Sequence, residues 1–411
     1  MRRLPRLRAS LLLFLSMALV LSACDLSPQP TPTPRPERSS TPGDSAPLPP
    51  PTMLTTLDVS ATPRVVSNTP DTLVTPQVAG SESPASAVFL AEVDEYLNDL
   101  VSKGQFSGSV LLARDGRVLL SKGYGMADLE NDVPNSPRTK FRIASVTKQF
   151  TAMGVMLLQQ EVKLNVQASV CEYIAECPET WQPITLHHLL THTSGLPENF
   201  SIQDFMTLTL SRNPMRDGLE MLKTRPLQAV PGETYQYSNV GYNMLGYILE
   251  QVSGQTYEEY LREKIWSPLG MNDTGQDHES LLVKRRATGY FSPTAKAQYL
   301  PIDLAAYAGG LYSTVEDLYK WDQSLYTEQL LPRPVLDTVF TAHQGDYGYG
   351  WTINQGEWGT VIAHNGAVPG FVSNISRYPD RKATVIVLSN LETTPLAQVV
   401  ADLTARVMQA Q

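Results

Sequence analysis

Cysteine is scarce, with three residues in a chain of 411, at positions 24, 171 and 177. Their spacing matches no zinc site, so a cysteine-built metal centre is excluded. Nucleotide loops are missing as well. Gly123-Tyr124-Gly125 lacks the third glycine and the following helix of a dinucleotide-binding turn, and reads as strand. No Gly-x-Ser-x-Gly occurs, which removes the nucleophile elbow of an α/β-hydrolase. Positive charge is in deficit: 32 Lys and Arg face 41 Asp and Glu, for a net charge of −9. Four of those cations crowd the first eight residues, so the remainder is more acidic still, and such a surface argues against nucleic acid as a partner. His188 and His192 stand four apart, but Leu189 occupies the position where a metalloprotease helix needs Glu. We read His187, His188 and His192 as packing and turn residues and expect no metal and no organic cofactor.

The two ends of the chain differ in kind. Arg2, Arg3, Arg6 and Arg8 precede an apolar stretch from Leu11 to Leu21, too short for a membrane span and of the form of a secretory signal. Leu21-Ser22-Ala23-Cys24 resembles a bacterial lipobox, which implies cleavage before Cys24 and lipid on its sulfur. Residues 25–85 are rich in Pro, Ser and Thr, as in QPTPTPRP and APLPPP, and lack the periodicity needed to bury a core. This segment reads as a disordered stalk, on the order of 45 Å as a coil, between an anchor and a folded domain at 86–411. Outside the membrane, Cys171 and Cys177 in CEYIAECP are placed to form a disulfide.

Within 86–411 the pattern begins with an amphipathic helix from Val88 to Leu100 and two strands joined through Asp115-Gly116. The region from Leu164 to Gln276 reads as largely helical, with ITLHHLL a short helix ended by Ser194-Gly195 and Pro197. Ser313 and Glu316 suggest a capping box that opens a helix near Thr314. YGYGWTI, TVIAHNG, FVSNISRYP and ATVIVLSN follow as strands. The expected fold is α+β, an antiparallel sheet shared by the two ends of the domain and flanked by helices, with a mainly helical lobe inserted.

Three short motifs carry chemistry. Ser145-Val146-Thr147-Lys148 opens an apolar run of helical period, which sets a hydroxyl and an amine on one face about 5 to 6 Å apart at Cβ. A helix start also offers free N–H groups and the positive end of the dipole. Free Lys and Tyr both have a pKa near 10, so either serves as a base only when burial or a cation depresses it. Tyr237-Ser238-Asn239 supplies a phenol and an amide just before another apolar helix. His364-Asn365-Gly366 ends a strand, and Gly366 clears a side chain where a backbone must approach a ligand, so that the N–H of Ala367 can donate to an oxyanion.

In this order, with the flanks LLTHTSGLP, PGETYQYSN, PLGMNDT and AGGLYSTVEDL, the motifs resemble the serine β-lactamase and penicillin-binding-protein superfamily, in the branch of class C β-lactamases, D-alanyl-D-alanine carboxypeptidases and related esterases. The resemblance implies an acylated nucleophile at Ser145, a proton relay of Lys148 and Tyr237, and substrate contacts from Asn239, His364, Asn365, Gly366 and Ala367. The N–H groups of Ser145 and Ala367 would form the oxyanion hole. His364 departs from the lactamase pattern, which carries Lys there, and a neutral imidazole anchors a substrate carboxylate less firmly. The expectation is therefore an exported, lipid-anchored, monomeric serine hydrolase acting on a small molecule or peptide such as a cell-wall muropeptide, with D-Ala-D-Ala carboxypeptidase or D-amino-acid peptidase activity. A promiscuous carboxylesterase or weak β-lactamase is the alternative, and a catalytically idle penicillin- or peptide-binding module the alternative of another class.

Overall fold

The computed structural model describes residues 84–198, 202–211 and 213–410. The predicted signal, the lipidation site at Cys24 and nearly all of the predicted stalk lie outside them.

Two stretches far apart in the chain build one antiparallel sheet. Strands β1 (Gly108–Arg114) and β2 (Arg117–Tyr124) form a hairpin whose turn residues Asp115 and Gly116 adopt φ of 52° and 72°, the left-handed region that a two-residue turn requires. Strands β3 (Thr352–Gly356), β4 (Gly359–Val368), β5 (Phe371–Tyr378) and β6 (Ala383–Ser389) form a meander. The sheet order is β3-β4-β5-β6-β1-β2, with Gly108 opposite Ser389 and Arg114 opposite Ala383 where the two stretches meet.

The helices that matter to the argument are α1 (Pro84–Ser102), α2 (Thr147–Gln160), α3 (Asn239–Ser253), α4 (Val315–Ser324) and α5 (Leu396–Gln409). Alternation along the strands divides the core in two. Val110, Leu112, Val385 and Val387 point to one face, where Val93 and Leu97 of α1 and Val399, Leu403 and Val407 of α5 cover them. Leu111, Ala113, Ile386 and Leu388 point to the other, toward the helical lobe. Covered on both sides, β6 reads ATVIVLS with every residue buried.

Helix α2 runs through the middle of that lobe. Thr147 through Leu158 are all buried, as expected of a helix enclosed on every side. Helix α4 bridges α2 and the sheet: Trp321 Nε1 donates to Gln149 Oε1 at 2.9 Å, and Asp322 accepts from buried Arg377 of β5 at 2.9 Å.

Several boundaries differ from the sequence reading. Helix α1 starts at Pro84, ahead of Val88, and reaches Ser102. The Leu186–Leu190 helix closes at Thr191, before Ser194-Gly195. Thr314, not Ser313, caps α4, accepting from the Asp317 N–H at 3.1 Å, because the Ser313 backbone is paired with Phe141 in a short strand. Tyr347 to Trp351 lie before β3, outside the strand expected of YGYGWTI. Cys171 and Cys177 are joined by a disulfide, their Cα atoms 5.2 Å apart.

Candidate active site

Ser145 sits at the entrance to α2, in a single turn of 3-10 helix, Ala144–Val146. Ala144 just before it has a φ of 46° and is buried, a conformation that L-residues with a Cβ adopt only when their surroundings hold them in it. Those surroundings are visible. The Ile143 N–H donates to the Leu311 carbonyl at 2.9 Å, and the Ser373 hydroxyl donates to the Ile143 carbonyl at 2.7 Å. From the sheet side Gly366 presses on the same turn, where a Cβ would collide with the Ile143 oxygen and with Ser373 Oγ. Glycine at 366 therefore lets β4 lie against the nucleophile turn. Between Ala144 and Phe150 only Ser145 is not buried.

Lys148, one turn on, is fully buried with its Nζ 3.2 Å from Ser145 Oγ. Its other partners are Asn239 Oδ1 at 2.8 Å and the Ala308 carbonyl at 2.9 Å. Burial drives its pKa down to about 7, against the opposing pull of the Glu198 carboxylate. A neutral amine has two N–H groups and one lone pair. Asn239 and Ala308 take the two N–H groups, which leaves the lone pair for the Ser145 hydroxyl.

Tyr237 completes the cluster. Its ring lies 4.8 Å from Lys148 Nζ, with the Ser145 hydroxyl near enough to bear on the phenol's acidity. Burial pushes the phenol well above its ordinary value, so the resting residue is protonated. Of the two candidate bases, the environment depresses only Lys148.

Asn239 lies beside this cluster, its Oδ1 on Lys148 and its Nδ2 donating to Glu198 Oε1 at 2.9 Å. Glu198 was not singled out in the sequence, yet it organises this side of the site. Its carboxylate accepts from the N–H groups of Asn239 (2.9 Å) and Val240 (3.1 Å) and from the Ser238 hydroxyl (2.8 Å), closing the N-terminus of α3, where the helix dipole favours a negative charge. No capping pattern reveals it, because it lies some forty residues upstream of the helix.

His192, read from the sequence as a packing and turn residue, packs inside the site itself. Its Nδ1 accepts from the Ser238 N–H at 3.0 Å, so Nε2 carries the proton. The ring centre lies 4.4 Å from that of Tyr237 and 4.5 Å from that of Tyr347, both tilted, and burial keeps it neutral. His187 and His188 do local work: His187 Nδ1 pairs with the Tyr349 hydroxyl at 2.7 Å, and His188 closes a capping box with Thr185.

On the facing strand, His364 Nδ1 lies 2.6 Å from the Asn365 carbonyl and must donate, so Nε2 accepts from the Tyr347 hydroxyl at 2.8 Å. Burial and the nearby Lys148 hold its pKa down at about 3. The imidazole is neutral with both nitrogens engaged. Asn365 is exposed and accepts from Asn374 Nδ2 at 2.7 Å. Because β3 pairs with β4 only as far as Ala363, the stretch from His364 through Ala367 to Val368 has no strand on that side among the described residues.

A comparison of the whole chain with known families matches the one described as Beta-lactamase over residues 93–409. The chain is 32% identical over 321 residues to Penicillin-binding protein 4* of Bacillus subtilis (strain 168), a match covering 71% of this chain and 70% of that one. This chain belongs to the Beta-lactamase family. Members of that kind are serine hydrolases, and the fold agrees with solved relatives. The octameric penicillin-binding protein homologue from Pyrococcus abyssi superposes with a TM-score of 0.68 at 28% identity, covering 78% of this chain and 77% of that one. The D-amino acid amidase from Ochrobactrum anthropi SV3, complexed with L-phenylalanine amide, gives 0.67 at 25% identity, covering 79% and 98%. The curated relatives are longer than the match, which spans 66% to 70% of their lengths.

Proposed function

We propose that this chain hydrolyses an amide or ester through an acyl-enzyme on Ser145. The observation that carries the proposal is the buried Lys148 amine, its pKa driven down to about 7 and its Nζ 3.2 Å from Ser145 Oγ. In the acylation step Lys148 Nζ takes the Ser145 proton as Oγ bonds to the carbonyl carbon. The N–H groups of Ser145 and Ala367 hold the developing oxyanion. As the intermediate collapses, Tyr237 gives its proton to the departing nitrogen or oxygen and recovers one from Lys148. Water then attacks the ester, its proton returning through the same pair, and Ser145 is regenerated.

The substrate we assign is a D-amino-acid amide, peptide or ester, with the cell-wall peptide as its source. The neutral His364, both nitrogens occupied, gives no cation for a terminal carboxylate, and this favours amidase and esterase turnover over strict D-Ala-D-Ala carboxypeptidase or β-lactamase action. The likeness to a D-amino acid amidase supports the same choice. Export, attachment through a lipidated Cys24, action as a monomer and the stalk at 25–85 belong to this proposal too.

A fluorophosphonate or labelled penicillin should modify the protein, and Ser145→Ala should abolish the label. Absence of labelling in folded wild-type protein by both reagents would favour the binding module. Among p-nitrophenyl acetate, D-phenylalanine amide, a D-Ala-D-Ala peptide and nitrocefin, turnover should be best on the first two.

A further inference from the structure

Beside Asn239 the helical lobe holds a cavity of about 260 Å³. Its walls come from α3, from the helices Ile202–Thr209 and Pro214–Lys223, and from the segment around Leu304. Leu208, Leu219, Leu222, Val240, Met244 and Leu304 give it an apolar surface, and among the described residues no charged side chain lines it. Among the described residues two amides reach it, and the oxygen of each is engaged elsewhere. Asn243 donates to the Leu304 carbonyl at 3.1 Å and accepts from the Ala308 N–H at 3.1 Å, while Asn239 is divided between Lys148 and Glu198. An occupant would therefore be recognised mainly by shape and apolarity, with Tyr247 and the two amides as the polar exceptions on the wall. Asn239 places the cavity next to the reaction centre: Lys148 bridges its Oδ1 and the Ser145 hydroxyl.

Gly218 shows that the space is kept open. It stands inside the Pro214–Lys223 helix, where glycine is the poorest helix former after proline, and among the described residues a Cβ there would meet only Leu208 at 3.7 Å, an ordinary contact. Neither a turn nor a crowded backbone calls for glycine at this position. A larger residue would strengthen the helix and fill the cavity.

We infer that this cavity is a substrate pocket that takes an uncharged apolar group of the ester or amide cleaved at Ser145. An empty apolar cavity of about 150 Å³ binds benzene, so this one accepts a benzyl group or a chain of about six to eight carbons. Each methylene buried there multiplies binding roughly fourfold. The inference rests on the acyl-enzyme reading for its substrate and on the cavity for its selectivity.

The test is a chain-length series in each half of the ester: p-nitrophenyl esters from acetate to octanoate, and acetate esters of methanol to 1-octanol. In one series kcat/KM should rise at least tenfold from the shortest to the longest member, and in Gly218→Phe that ratio should fall at least tenfold. Wild-type profiles flat in both series, or a ratio unchanged in folded Gly218→Phe, would overturn the pocket while leaving Ser145 its role. Should no ester be turned over, titration of 1-octanol followed by NMR decides the pocket by itself, and the labelling of Ser145 decides the acyl-enzyme reading separately. Saturable octanol binding in the wild type that is lost in the variant supports it, and no binding overturns it. If Gly218→Phe does not fold, Gly218→Met replaces it.

Discussion

Lys148 is held between two opposing influences: burial favours the free amine, and the Glu198 carboxylate favours the ammonium. With its pKa near 7, kcat/KM should fall as pH drops below about 7, when the lone pair needed by Ser145 is protonated, and should level off above it. Glu198→Gln removes the charge that raises the pKa, so the acidic limb should move to lower pH, by about 0.5 to 1 unit. A Glu198 that only capped α3 would change stability and leave that limb in place. Lys148→Ala and Tyr237→Phe should each slow acylation at least about 100-fold, the usual loss when a positioned proton carrier is removed, as stopped-flow measurement of the acyl-enzyme would show. The motif residues were legible because Ser145 and Lys148 are bound by helical spacing, and Tyr237 and Asn239 by the start of the next helix. Glu198 was not, nor was the place of His192 inside the site, since both act through contacts across about forty residues of chain. Asn239 shows the limit from the other side. The resemblance made it a substrate ligand, and the structure adds that its side chain also ties Lys148 to Glu198.

Among the elements, the packing of α3 on the Ala306–Gly309 turn deserves a direct test, because that turn carries the Ala308 carbonyl to Lys148. A Cβ at Gly246 would collide with the Tyr307 ring, while Asn243 clasps the N–H groups of Tyr307 and Ala308 from the same helix. Gly246→Ala should therefore destabilise the fold by about 1 to 3 kcal/mol despite better helix propensity, and lower kcat/KM as Ala308 shifts. Urea melts and hydrolysis of p-nitrophenyl acetate on the same preparation measure both. A melt unchanged within error would mean that the two elements are not locked together. The strands were readable because β6 is a nearly continuous β-branched run and β5 carries Val372 and Ile375 between Phe371 and Tyr378, and the hairpin because Asp115-Gly116 fits a two-residue turn. The cap of α4 was misread by one residue for a physical reason: Ser313 and Thr314 both offer a capping hydroxyl, and only the long-range pairing of Ser313 with Phe141 decides between them.

At the scale of the whole domain, the sheet is closed by the two ends of the folded chain. Helices α1 and α5 lie on the face opposite the active site, and α1 adds Phe89, Val93, Leu97 and Leu100 to the core beneath them. Tyr96 donates to Asp402 at 2.7 Å, and Tyr124 of β2 donates to Asp94 at 2.6 Å, so α1 grips both α5 and the hairpin. The hairpin in turn is the neighbour of β6 at the centre of the sheet. None of these contacts touches Ser145, yet the nucleophile turn depends on β4 and β5 holding their register against it through Gly366 and Ser373. A chain shortened to begin at Pro84 should keep its melting temperature and its esterase rate, since the stalk is predicted to contribute only reach. A chain begun at Gly104 should lose cooperative melting and hydrolysis together, because burying four large side chains, at about 1.5 to 3 kcal/mol each, is comparable to the net stability of an ordinary domain. Calorimetry of the two shortened proteins distinguishes these outcomes. A sharp transition in the shorter one would show that α1 only decorates a sheet already complete without it.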